Sequence, residues 1–150
     1  DKQIDFLRKL LDTPSPSGFE AKGQRVWLDY VAKYADETST DAYGNAVAVL
    51  NPKGSPRIMI AGHADEIGFM VNHITDDGFL YVQAIGGVDV SLALGQRVHV
   101  HGRDGAVLGV VGSLAIHLQD RGSDPKPPKI HELFIDIGVP SKKEAEKLVG

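Results

Sequence analysis

The chain has 150 residues, 42% of them apolar and 24% charged, with a formal net charge of −4. That is enough for one ordinary domain or two small ones, of soluble globular composition, and the acidic balance gives no general pull toward nucleic acid or an anionic membrane surface. There is no cysteine, which excludes disulfides and thiolate metal sites, so any metal must use His, Asp, Glu or water.

The first elements read as helix, helix, then strands. Ile4, Leu7, Leu10 and Leu11 share one helical face. Thr13-Pro14-Ser15-Pro16 stops that helix, because proline cannot continue it and disfavours the α region in the residue before. Ser17-Gly18-Phe19-Glu20 has the form of a capping box, opening a second helix that carries Val26, Tyr30, Val31 and Tyr34 toward a core. Asp41 to Asn45 is a turn between two extended segments, and Asn51-Pro52-Lys53-Gly54 is another. Arg57 to Ala61 is then expected as a buried strand, so residues 1–68 read as the opening of an α/β layer.

After Gly68 the pattern changes. Phe69 to Val71, Leu80 to Ile85, Val98 to His101, Ala106 to Val111 and Leu133 to Ile137 are short β-like runs separated by Gly- and Asp-rich turns. Such spacing predicts a small barrel or sandwich. Residues 119–131 are polar and proline-rich and read as a long exposed loop. Ser141 to Glu144 is a second capping box, opening a helix with Ala145, Leu148 and Val149 on one side.

The chemistry concentrates at Gly62-His63-Ala64-Asp65-Glu66, where the apolar run ends. On an extended backbone, residues two apart point to the same side, so the Asp65 carboxylate can lie beside the His63 ring. In a metal site such a carboxylate fixes the imidazole tautomer and makes the other nitrogen a better donor. The alternative is a strand-end histidine with a polar neighbour. Glu66 reads either as a further ligand or as a salt-bridged or solvated residue. A catalytic zinc needs about three protein ligands, and one imidazole is not enough. His99 and His101 could share a strand face, but a solvent-facing pair is the better reading. His117 fits a structural hydrogen bond better than a role over a neighbouring site. No His-Glu-x-x-His helix, Gly-x-Ser-x-Gly elbow or phosphate loop is present, and Gly86-Gly87 reads as a bend or bulge.

A set of pieces runs in order along nearly the whole chain. They are Ser17-Gly18-Phe19-Glu20, Asp41-x-x-Gly44-Asn45, Ala61-Gly62-His63-x-Asp65-Glu66-Ile67-Gly68-Phe69 and Ile85-Gly86-Gly87. Further on come Gly95-Gln96-Arg97-Val98, Gly109 to Ser113 with His117, and Leu133 to Gly138. Together they resemble the amino-terminal part of the M42 metalloaminopeptidases, the glutamyl and deblocking aminopeptidases that include tetrahedral dodecameric enzymes.

The resemblance implies an α/β fold in two parts. Residues 1–68 would begin a zinc-exopeptidase-like catalytic domain, and residues 69–150 would form most of an inserted, β-barrel-like dimerisation domain. It implies that His63 binds one of two divalent metal ions, zinc or cobalt, and that Asp65 supports it. The family's other ligands and its catalytic Glu-Glu pair come after the inserted domain, beyond residue 150. Peptides would be the substrates, with a homo-oligomer built from dimers, up to a dodecamer, and no nucleic-acid or membrane partner.

Two readings follow. In one, the chain is the front portion of a two-metal aminopeptidase and is inactive alone. In the other, it is a non-catalytic β-rich assembly module. Asp1 in place of an initiator methionine and an abrupt end at Gly150 point to an incomplete chain. Without a signal peptide, a bilayer-length apolar run or an Asn-x-Ser/Thr acceptor, a cytoplasmic location is the simplest expectation. Residues 1–68 alone, lacking a full sheet to cover their apolar faces, are expected to bind hydrophobic dyes or aggregate.

Overall fold

Every backbone N–H and C=O removed from water needs a partner, and the way this chain finds them divides it in two. A computed structural model of the protein describes residues 1–118 and 127–149. The chain forms two compact units, residues 1–67 and 68–150.

In the first unit, α1 (Lys2–Leu11) starts at Asp1, whose carboxylate accepts the Gln3 N–H at 3.0 Å. Arg8 and Lys9 complement the dipole of its last turn, and it ends at Asp12, before the prolines. Phe6 stacks on Tyr30 of α2 (Ala21–Val31), with ring centroids 3.7 Å apart. A two-stranded antiparallel hairpin follows, β1 (Glu37–Thr40) and β2 (Ala46–Val49). Its turn is knotted by Asp41, whose Oδ1 accepts the N–H groups of Tyr43 and Asn45, each at 2.9 Å.

Three expectations fail in this unit. The face of α2 reaches no core, since Val26, Tyr30 and Val31 are only half-buried and Tyr34 is 65% exposed. The box expected at Ser17 to Glu20 does not cap α2, whose N-cap position is Glu20 with no side-chain cap. Glu20 instead accepts the Gly18 N–H at 2.7 Å, and the Ser17 hydroxyl goes to Asp65. A distant carboxylate outcompetes the local amide, because hydrogen bonds to an ionised acceptor are the stronger ones.

The buried strand expected at Arg57 to Ala61 is also absent. Those residues pair with no strand among the described residues, and Ile60 is 96% exposed. An apolar run marks a segment suited to burial, and a strand forms only where a neighbouring strand takes its N–H and C=O groups.

The second unit is a five-stranded antiparallel sheet of order β3-β4-β7-β6-β5. The strands are β3 (Gly68–Ile74), β4 (Leu80–Ile85), β5 (Arg97–Gly102), β6 (Gly105–Ser113) and β7 (Leu133–Asp136). Residues two apart share a face. One face therefore collects Leu80 and Val82, Val100, Val111, and Leu133 and Ile135 into the core, joined by Ile137 and by Ala93 of the short helix α3 (Val90–Ala93).

Helix α4 (Lys142–Val149) buries Ala145 in that core and packs against both edge strands, β3 and β5, so the sheet curls around it. Its start shows the serine half of the second capping box. The Glu144 N–H donates to the Ser141 hydroxyl at 3.4 Å, and the Lys142 N–H to the Asp76 carbonyl at 2.9 Å. Gly102 is required where α4 crosses β5, because a Cβ there would fall 1.9 Å from the Leu148 carbonyl oxygen.

Residues 119–126 of the loop expected at 119–131 lie outside the described residues, and Ile130–Glu132 forms a 3₁₀ turn. Among the described residues no helix is long and apolar enough to cross a membrane.

Candidate functional site

The site lies wholly within the first unit, where the segment after the exposed run meets the loop between α1 and α2. His63 Nδ1 is 3.0 Å from Asp65 Oδ1 and 3.0 Å from the Asp65 backbone oxygen. An ionised carboxylate and a carbonyl can only accept, so Nδ1 must carry the proton that satisfies them. Nε2 then presents its lone pair outward from a side chain that is 86% exposed. That is the tautomer a metal-binding histidine adopts when a carboxylate holds its other nitrogen.

Asp65 is itself held from a second side. Its Oδ2 accepts the hydroxyl of Ser17. The Ser17 hydroxyl first, and the His63 ring next, hold the Asp65 carboxyl below the usual carboxylate range. It therefore stays ionised near neutral pH and remains an acceptor for Nδ1.

Glu66 is engaged on the same loop. Its Oε1 accepts the Ser15 N–H at 2.8 Å, and its own N–H donates to the Ser15 carbonyl at 2.9 Å. A parallel bridge between Pro16 and Glu66 completes this junction. The carboxylate considered as a further ligand thus holds the Ser15 backbone N–H through Oε1. Ser15 is buried at 6% exposure, with its hydroxyl donating to the Thr13 carbonyl at 3.1 Å. Sequence reasoning missed both serines as site residues. The local capping signal at Ser17 masked its distant partner, and nothing local to Ser15 announces its burial.

Among the described residues the remaining histidines do not build a second centre. His99 and His101 share a face of the edge strand β5, both exposed, and His117 is exposed in the 3₁₀ turn Ile116–Leu118. Among the described residues no three His, Asp or Glu side chains come together as a metal cage. The donor set present fits one corner of a metal site: one imidazole with its tautomer fixed, and one carboxylate behind it.

Residues 44–150 match the M42 glutamyl aminopeptidase family. The chain belongs to that family. It is 38% identical over 148 residues to the lysyl aminopeptidase of Pyrococcus furiosus, covering 96% of this chain and 42% of the relative. Among solved structures it resembles a TET aminopeptidase from a marine sediment Thaumarchaeota archaeon. The TM-score is 0.92 at 35% identity, over 98% of this chain and 42% of that one. It also resembles the Pyrococcus horikoshii TET1 peptidase, which assembles into a tetrahedron or a large octahedral shell. There the TM-score is 0.84 at 35% identity, over 98% of this chain and 44% of that one. The chain therefore spans less than half the length of these relatives.

Proposed function

We propose that this chain is the amino-terminal part of a two-metal aminopeptidase that removes amino-terminal residues from peptides. The observation that carries the reading is His63, whose Nδ1 is held by two Asp65 oxygens while Nε2 is left free to bind a metal. His63 is the metal ligand and Asp65 the carboxylate that orients it. When bound, a pair of zinc or cobalt ions supplies an activated water and a Lewis acid for the scissile carbonyl. The chain's own share is to aim Nε2, keep Nδ1 protonated, and hold Asp65 ionised through Ser17. The other ligands and the general base belong to sequence beyond residue 150.

On this reading residues 1–68 begin a zinc-exopeptidase-like catalytic domain. The exposed Ile58-Met59-Ile60 run supports it, being an apolar segment suited to a sheet interior and left without a paired neighbour among the described residues. Residues 69–150 form most of an inserted, β-barrel-like dimerisation domain, and the dimer is the building block of a larger assembly, in the cytoplasm. The test is His63→Ala in the full-length enzyme. Peptidase activity is expected to vanish and the bound metal to fall. Full activity with unchanged metal content would refute the assignment.

A second reading, a non-catalytic assembly module, draws on the lack of a three-ligand cluster and on a core confined to the second unit, both among the described residues. Size-exclusion and metal analysis of the 150-residue chain separate the two. Stoichiometric tight zinc with peptidase activity would sink the module reading.

A further inference from the structure

The Ser17 hydroxyl is spent neither on a helix cap nor on solvent. It crosses 48 positions of sequence to donate to Asp65 Oδ2, while Asp65 Oδ1 faces His63 Nδ1. From this geometry we propose that Ser17 is a positioning residue, which fixes the Asp65 carboxylate so that His63 is held as its Nδ1–H tautomer with Nε2 ready for a divalent cation. The proposal rests on the assignment of His63 as a metal ligand and deepens it.

The physical need is clear from the carboxylate itself. The terminal torsion of an aspartate is broad, so one hydrogen bond leaves the group free to swing. A second anchor on the other oxygen fixes its plane. Oδ1 then stays at Nδ1 beside the Asp65 backbone oxygen, and the ring cannot move its proton to Nε2 without losing both acceptors.

The anchor is held firm as well. Ser15, two residues before Ser17, is paired with Glu66 in both directions, the Ser15 N–H donating at 2.8 Å and its carbonyl accepting at 2.9 Å. Pro14 and Pro16 on either side fix their own φ angles. Asp65 is next in the chain to Glu66, so the same junction brings the hydroxyl and the carboxylate together. Removing the hydroxyl need not disturb α2, whose N-cap is Glu20.

The test uses Ser17→Ala and Ser17→Thr. In the metal-free full-length enzyme with ¹⁵N-labelled histidine, at about pH 8 where an ordinary imidazole is neutral, the His63 signals report which nitrogen holds the proton. They are assigned by their loss in His63→Gln. Wild type is expected to be Nδ1–H. Ser17→Ala should move part of the population to Nε2–H, the Asp65 backbone oxygen still holding the rest at Nδ1, and Ser17→Thr, which keeps the hydroxyl, should restore the wild-type state.

In the full-length enzyme, zinc affinity measured against a competing chelator should fall about 10-fold in Ser17→Ala, the scale of losing a supporting partner of a metal ligand. It should return in Ser17→Thr. A wild-type tautomer spectrum in Ser17→Ala overturns the proposal. Unchanged zinc binding in His63→Ala would instead overturn the ligand assignment alone, leaving the tautomer measurement to decide the role of Ser17.

Discussion

Gly23 lies on α2 directly against Ser15, and its missing side chain is what the loop requires. A Cβ at that position would fall 2.3 Å from the Ser15 hydroxyl oxygen. Ser15 has little room to retreat, because it is buried and its N–H and carbonyl are both committed to Glu66. Gly23→Ala normally favours a helix, by roughly 1 kcal/mol. Here overpacking should win, with a net loss on the order of 1–3 kcal/mol. Chemical denaturation of the full chain, followed through Trp27 on the same helix, measures it. A midpoint equal to or above wild type would show that Ser15 moves aside freely. The same substitution should loosen the junction that carries Ser17 and Glu66, so a residue with no chemistry of its own helps set the candidate site.

At the scale of elements, the hairpin of β1 and β2 depends on one carboxylate. The Asn45 side chain, then the Asn45 backbone N–H, hold the Asp41 carboxyl below its ordinary value of 3.8. A depressed folded value means that the unfolded chain takes up a proton first as pH falls. The stabilisation is therefore fully present above 3.8 and is lost as pH drops through the lower, folded value. A carboxyl-carbon NMR titration should place the Asp41 midpoint below 3.8, with the Asn45 amide shift changing in the same step. A midpoint at or above 3.8 would mean that the turn does not bind the charged form.

This turn was legible in the sequence because Asp, Gly and Asn act within five residues of one another. The sheet strands β3 to β7 were legible for the same reason, each bounded by local turn residues. The His63–Asp65 contact was readable from spacing two apart. What escaped was non-local. Ser17 looked like a cap because its partner is 48 residues away. Residues 57–61 looked like a strand because hydrophobicity records what a segment suits, not what pairs with it. Helix α3 is too short to show a period, and its one signal is Asp89, which accepts the Ser91 N–H at 3.0 Å.

For the whole molecule, the decisive asymmetry is where apolar surface is buried. Every buried apolar side chain among the described residues lies in the second unit, including the fully covered Leu80 and Leu133. Residues 1–67 bury only Ser15 and Gly23, and they expose Ile58, Met59 and Ile60 almost completely. Burying a large aliphatic side chain is worth about 1.5–3 kcal/mol, and that gain must offset the entropy of ordering the chain. The second unit collects the gain and the first does not. Residues 68–150 made alone should therefore melt in one cooperative transition without binding a hydrophobic dye. Residues 1–67 made alone should bind the dye or aggregate, and show no cooperative melt. A monodisperse, cooperatively melting 1–67 piece would mean that the Phe6–Tyr30 stack and the loop junction at Ser15 and Glu66 suffice to hold it. The exposed apolar run would then need no cover from the rest of an α/β sheet, and one support for the catalytic-domain reading would be gone.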